Sequence, residues 1–106
     1  MAKNVTTAEF QALIDGTEMP VVLDFWAAWC GPCRAFASVV DRLHEEYEGK
    51  AVIGKVNVDE EPSLAQKFGV MSIPTVLIFK NGQLVDTQIG SSTFDTMADK
   101  IDKYLG

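Results

Sequence analysis

Apolar residues along the chain follow the two spacings that are typical of strands and helices. The run from Val21 to Ala28 is apolar on both alternating faces, which predicts a strand covered by helices on both sides of a sheet. From Phe36 to Tyr47 the apolar residues recur at steps of three and four, which predicts a helix with one buried face. Gly49 is the expected end of that helix. A buried strand followed by an amphipathic helix therefore forms the predicted centre of the fold.

Shorter patterns place elements before and after this pair. Thr6-Thr7-Ala8-Glu9 resembles a capping box and predicts a first helix that ends near Gly16, after a weak strand near residues 3–5. Residues 51–58 alternate as a strand does. Pro62 then opens a short helix, and Gly69 is its expected end.

The C-terminal third predicts a hairpin and a helix. Asn81-Gly82 is a strong hairpin signal between two strand-like runs, Thr75–Lys80 and Gln83–Ile89. Ser91-Ser92 is the expected cap of a last helix. The order βαβαβαββα predicts an α/β fold with a central mixed β-sheet flanked by helices. Since 106 residues supply one such sheet and no second core, we expect a single domain over residues 1–106.

Both cysteines of the chain lie in Trp29-Cys30-Gly31-Pro32-Cys33, where the central strand meets its helix. Unpaired N–H groups and the helix dipole favour an anion there, and a thiolate is such an anion. We therefore expect Cys30 to be an exposed nucleophile, with Cys33 one turn later on the same face and more sheltered. Pro32 suits the first helical turn, and Gly31 allows another chain to approach closely.

Asp24 places a carboxyl group between Val22 and Trp26 on one face of the covered strand. Loss of water there should raise its pKa, and a neutral acid at that position can exchange protons with Cys33. Trp26 is expected to pack in the core and support the active-site loop.

Composition and charge exclude several function classes. A net charge of −6 with nine scattered basic residues argues against nucleic acid as a partner. Because no apolar run is long enough for a bilayer and the N-terminus lacks a signal-like apolar region, we expect a soluble cytoplasmic protein without membrane contact. A close cysteine pair in that reducing compartment is catalytic or metal-binding rather than structural. Zinc would need four ligands, and the chain offers only two cysteines and His44, so we expect no metal site.

The Trp-Cys-Gly-Pro-Cys motif after an apolar strand, with Asp24 inside that strand and Ile73-Pro74-Thr75 downstream, resembles the thioredoxin family from about Val5 to Leu105. The resemblance implies the thioredoxin fold and a general protein disulfide reductase. Thiol exchange would have Cys30 attack a disulfide of a target and Cys33 resolve the mixed disulfide. The resemblance further implies that Asp24 takes the proton of Cys33, and that Lys55 lies near this acid and partly counters the effect of burial.

The same resemblance implies how targets bind. It places a cis Ile73-Pro74 bond against the cysteines, an isomer that the pattern alone leaves open, and has Ile73 hydrogen-bond an extended segment of the target. A flat apolar patch would surround Cys30, formed by Trp29, Pro32, Met71, Ile73 and Gly90. The implied partners are disulfide-containing proteins and a flavin- and NADPH-dependent thioredoxin reductase. We expect a monomer that binds no cofactor itself.

The sequence departs from the family pattern at two places. Ser38 stands where these proteins usually carry a kinking proline, which predicts a straighter helix. Met71-Ser72 replaces a more usual pair ending in glycine or alanine, which bears on partner preference.

Two rival functions are also considered. An oxidant or isomerase of the same fold is disfavoured because Gly-Pro, without histidine, separates the cysteines. A binding module with incidental thiols is the other rival, and it would survive replacement of both cysteines by serine.

Overall fold

The structure is a computed structural model that describes residues 2–106. Nine elements follow one another there in the predicted order. Their bounds are β1 Lys3–Asn4, α1 Thr7–Asp15, β2 Val21–Trp26, α2 Gly31–Glu46, β3 Val52–Asn57, α3 Pro62–Lys67, β4 Thr75–Lys80, β5 Gln83–Ile89 and α4 Phe94–Asp102.

The five strands form one mixed sheet in the order β1-β3-β2-β4-β5. β3 pairs parallel to both β1 and β2, whereas β4 is antiparallel to β2 and to β5. Because β2 has a hydrogen-bonded neighbour on each side, it lies in the middle of the sheet. This position explains its uninterrupted apolar sequence.

Helices cover the two faces of the sheet as two separate core clusters. On one face, Val22 of β2 packs with buried residues of α2 and α4, among them Val40 and Met97. On the other face, its neighbour Leu23 packs with residues of α1 and α3, among them Phe10 and Leu64. Alternation along β2 therefore sends Asp24 to the same face as Val22, under α2.

Most local signals of the sequence form as predicted. Thr6 caps α1 in a capping box with Glu9, and Gly16 ends the helix. The hairpin turn has positive φ at both central residues, 53° at Asn81 and 79° at Gly82, which is the geometry that Asn-Gly favours.

The predicted cap of the last helix is wrong. Thr93 is the N-cap of α4, because its hydroxyl accepts a hydrogen bond of 3.1 Å from the N–H of Thr96, whereas Ser91 and Ser92 precede the cap. Thr93 has extended backbone angles, with a φ of −89° and a ψ of 160°, and Phe94 is the first helical residue, so Thr93 takes the capping position.

α2 runs without interruption through Ser38, whose hydroxyl donates to the carbonyl oxygen of Ala35 at 3.4 Å. It ends at Glu46, and Gly49 lies in the turn that follows, with a φ of 81°. None of the helices in residues 2–106 combines the length and the apolar character that a membrane span requires.

Candidate active site

Cys30 and Cys33 lie together at the N-terminus of α2. Cys30 is the N-cap and Cys33 belongs to the first turn, and the two are joined as a disulfide with their Cα atoms 5.2 Å apart. The N–H of Cys33 donates to Sγ of Cys30 at 3.2 Å. A sulfur thus takes the place that a hydroxyl or carboxylate oxygen fills in most helix caps. When the disulfide opens, the same donor and the helix dipole stabilise a thiolate on Cys30.

The expectation of an exposed Cys30 is wrong for this disulfide form. Cys30 is only 5% exposed and Cys33 only 2%. Both pack against Ala27, and partly buried apolar side chains from other segments close over them, among them Val58 and Ile73. The family resemblance placed Ile73 beside the cysteines, but the local pattern around Cys30 could not show this cover, because Val58 and Ile73 lie in loops distant in the chain.

The segment around Pro74 lies against the cysteines, as the family resemblance implies. The Ile73-Pro74 bond is cis, and the carbonyl oxygen of Ile73 is 3.8 Å from Sγ of Cys30. Two hydrogen bonds hold the segment in place. The Thr75 hydroxyl donates to the carbonyl oxygen of Ser72 at 2.6 Å, and the N–H of Gly90 donates to the carbonyl oxygen of Pro74 at 2.8 Å. The start of β4 and the end of β5 therefore hold the Ile73 backbone beside the disulfide.

Exposed residues surround this centre. Trp29 is 68% and Met71 is 96% exposed, Gly31 and Pro32 are also exposed, and Ile73 and Gly90 are half-buried. The rim is not purely apolar, because the indole N–H of Trp29 donates to a carboxylate oxygen of Asp59 at 2.9 Å.

Asp59 is a site residue that the sequence analysis missed. β2 and β3 are parallel, with Trp26 opposite Asn57, so the segments that follow the two strands leave the sheet at the same edge. Trp29 follows β2 and Asp59 follows β3. A polar residue just beyond the carboxyl end of a neighbouring parallel strand is the signal that could have identified it.

The predicted burial of Asp24 is confirmed, since the residue is 1% exposed. Neither of its carboxylate oxygens has a hydrogen-bond partner within residues 2–106, and the same is true of the indole nitrogen of Trp26. Burial raises the pKa of Asp24, and the positive charge of Lys55 offsets part of that rise. The resulting pKa is about 7. Near neutral pH the carboxyl group therefore exists in both its protonated and its ionised form.

Lys55 is the neighbour of Asp24 across the β2–β3 ladder. Its ammonium nitrogen lies 4.4 Å from the centre of the Trp26 ring, and its side chain is half-buried. An ammonium group over the face of an indole ring is held by a cation–π interaction, so Trp26 keeps the charge of Lys55 near the carboxyl group.

Residues 2–106 contain no group of three or more histidine, cysteine or acidic side chains that could hold a metal ion. His44 lies in the last turn of α2. At 1.5 Å per residue it is about 16 Å along the helix from Cys33, too far to share a metal ion with the cysteines.

Comparison with known proteins agrees with the fold and the cysteine motif. A family model described as thioredoxin matches residues 1–103. The chain is 48% identical over 101 residues to the chloroplastic M-type thioredoxin of Pisum sativum, a match that covers 95% of this chain and 59% of that protein. It is 48% identical to a thioredoxin of Synechocystis sp. over 95% of this chain and 94% of that protein. A thioredoxin of Rickettsia felis is 41% identical over 99% of this chain and the whole of that protein.

Thioredoxins are protein disulfide oxidoreductases that need no bound cofactor and act on disulfide-containing proteins. Cys30 and Cys33 supply the redox-active pair that this activity requires, at the position where the family motif places it. The chain therefore belongs to the thioredoxin family and is a protein disulfide reductase.

Proposed function

We propose that the reductase works through a fixed division of labour between its two cysteines. The Cys30 thiolate attacks one sulfur of a target disulfide, and the other target sulfur leaves as a thiolate. The Cys33 thiolate then attacks Sγ of Cys30, which breaks the mixed disulfide and releases the second target thiol. Two electrons pass to the target, and Cys30 and Cys33 end as a disulfide. The N-cap position of Cys30 and its 3.2 Å hydrogen bond from the N–H of Cys33 carry this proposal.

Asp24 is the proton acceptor for Cys33 in the resolving step, and it returns the proton when the disulfide is reduced again. A carboxyl group with a pKa near 7 suits both directions. Lys55 tunes that pKa, while Gly31 and Pro32 set the separation of the two cysteines and leave room for the target.

Targets bind across the exposed surface around the disulfide. The backbone of Ile73, held beside Cys30 by the segment that ends in Pro74, hydrogen-bonds an extended target segment. Trp29, Met71 and Gly90 supply contact area around it.

Further properties follow from the same interpretation. Residues 1–106 form a single domain that acts as a monomer in the cytoplasm. A flavin-dependent thioredoxin reductase returns it to the dithiol form with electrons from NADPH. Its membership of the thioredoxin family supports this partnership.

Single-cysteine variants test the division of labour. We expect Cys33→Ser to accumulate a covalent complex with a small disulfide protein such as insulin, because no thiol remains to resolve it. Cys30→Ser should form no such complex. Mass spectrometry of the quenched reaction identifies the complex. Accumulation with Cys30→Ser and none with Cys33→Ser would contradict the assigned roles.

The redox potential tests the direction of electron flow. Reference values are about −270 mV for thioredoxin, the family of this chain, and about −120 mV for a strong periplasmic oxidant. We expect a value near the lower end when tryptophan fluorescence is followed in defined thiol–disulfide buffers. A value near the upper end would identify an oxidant instead.

A further inference from the structure

A groove without charged side chains lies beside the segment 69–72, next to the active site. Its volume is about 280 Å³. Of the five large apolar side chains that are exposed in residues 2–106, three line this groove: Met71, Leu84 and Ile89, which are 96%, 44% and 69% exposed. Single exposed apolar residues are ordinary, but several that share one groove mark an interaction surface.

The register of the β4–β5 hairpin explains how Leu84 comes to line the groove. Phe79 belongs to the core cluster of α1 and α3, and Leu84 stands opposite it across the hairpin. The register shifts between Ile78 and Phe79, so Val85 is an extra residue in β5. In an unshifted ladder Val85 would stand opposite Phe79, and Leu84 would point to the other face of the sheet. The bulge therefore turns Leu84 toward the groove.

Two of the chain segments that line the groove also lead to the active site. Met71 lines one wall and is two residues from Ile73, whose carbonyl oxygen is 3.8 Å from Sγ of Cys30. Ile89 lines another part and precedes Gly90, whose N–H is bonded to the Pro74 carbonyl oxygen. An extended chain advances about 3.3 Å per residue. Met71 is two residues from Ile73, a separation of at most about 7 Å, so a target whose cysteine has reached Cys30 can place a residue about two to four positions away over the groove.

The chemistry of the groove restricts what can occupy it. Its lining is aromatic, aliphatic and hydroxyl-bearing, with Phe68 and Leu77 in its walls and no charged residue. A charged group entering it would lose hydration without gaining a partner. Its volume is also slightly below the range of about 300–1,000 Å³ that is usual for small-molecule sites. One large apolar side chain of a passing polypeptide satisfies both restrictions.

We propose that this groove is a specificity subsite for target proteins, and that it takes a large apolar side chain, such as Leu or Phe, about two to four residues from the target cysteine that Cys30 attacks. This inference rests on the thiol exchange proposed above and adds the class of target that reacts fastest.

Short peptides test the subsite. Each carries one cysteine as a mixed disulfide with 2-nitro-5-thiobenzoate, so attack of Cys30 on the peptide sulfur releases the coloured thiolate, and Cys33 then frees the peptide. One set places leucine two, three or four residues from the cysteine, on either side, and the other set places alanine there. We expect the best leucine peptide to react about five- to tenfold faster than its alanine partner, at or below the low end of the discrimination that enclosed apolar pockets achieve.

Two variants of β5 locate the effect. Leu84→Gln should abolish the preference for leucine and leave the rate with the alanine peptide unchanged. Val85→Gln is the matched control, because Val85 is 37% exposed on the same strand but does not line the groove. It should keep the preference.

Three outcomes would overturn the subsite. Equal rates for the leucine and alanine peptides, with both reduced normally, would contradict the proposed subsite but not the reductase function. A failure to reduce even the alanine peptide would remove the thiol-exchange function itself, and the subsite with it. Self-association of the wild-type protein in sedimentation, abolished by Leu84→Gln, would identify the groove as an interface between copies of this chain.

Discussion

At the scale of single residues, Asp24 combines burial with an unsatisfied carboxyl group. Both of its oxygens lack a hydrogen-bond partner in residues 2–106, and its pKa is raised to about 7 by burial, against the opposing charge of Lys55. A group of this kind changes protonation near neutral pH, as a proton acceptor for a thiol must. The sequence predicted the burial from the neighbours of Asp24 in β2, but the lack of partners depends on what α2 and β3 place around it.

Asp24→Asn should slow the resolving step. The variant keeps the size of the side chain but cannot accept a proton from Cys33. We expect oxidation of the reduced protein by a target disulfide to be about tenfold to a hundredfold slower at pH 8, a modest share of what positioned acids and bases contribute. Single-turnover stopped-flow fluorescence between pH 5 and pH 9 measures it. In the wild type the rate should rise through an inflection near pH 7, where Asp24 ionises, and the variant should lack that inflection.

Lys55→Gln is the companion variant for this measurement. The positive charge of Lys55 lowers the pKa of Asp24, so its removal should move the same inflection to higher pH. An inflection that stays in place in both variants would assign the pH dependence to another group and contradict the role of Asp24.

At the scale of single elements, the caps show how far local sequence goes. The capping box at Thr6 forms as predicted because all of its parts lie within four residues. The cap of α4 does not, because three hydroxyl residues in a row precede the helix and each could serve as its cap by local pattern; the structure has Thr93 in that position. Local patterns therefore predict that a helix begins near residues 91–94, and only the structure shows which residue is its N-cap.

Thr93→Ala should destabilise the protein by about 1 kcal/mol, the usual effect of losing an N-cap hydroxyl. Ser92 is half-buried but does not cap α4, so Ser92→Ala should change the free energy of unfolding by less than about 0.5 kcal/mol. Urea unfolding followed by circular dichroism distinguishes the two. A larger loss from Ser92→Ala than from Thr93→Ala would place the cap one residue earlier.

At the scale of the whole molecule, the raised pKa of Asp24 links stability to pH. The folded protein holds this proton up to about pH 7, whereas the unfolded chain releases it near pH 4. Between these values the folded state binds more protons, so its stability falls as pH rises. A shift from 3.8 to about 7 corresponds to roughly 4 kcal/mol.

Asp24→Asn should remove the fall in stability with rising pH that the raised pKa of Asp24 causes. We expect the free energy of unfolding of the disulfide form, measured in urea, to increase relative to wild type by about 4 kcal/mol between pH 4 and pH 8. A difference that stays constant with pH would contradict a raised pKa in the folded protein.

Asp86→Asn gives a control of opposite sign. Burial raises the pKa of Asp86, but hydrogen bonds from Thr87 and Tyr104 and the charge of Lys100 outweigh it, and the pKa is lowered. The ionised form therefore stabilises the fold above the unfolded pKa, and this stabilisation is lost as pH falls through the lower folded value. The variant should be less stable than wild type near neutral pH, and the difference should disappear in acid.

The sequence by itself determined the order of the elements, the buried central strand, the Asn81-Gly82 turn and the cysteine pair at a helix start. These features depend on residues a few positions apart, whose periodicity and turn chemistry act locally. Only the tertiary structure showed that Cys30 is buried, that Trp29 donates a hydrogen bond to Asp59, and that a bulge turns Leu84 toward the groove beside the segment 69–72. The first two involve segments far apart in the chain, and the third brings a residue of the hairpin against the distant segment 68–72. Such contacts follow from the packing of the whole sheet and its helices, which no local pattern specifies.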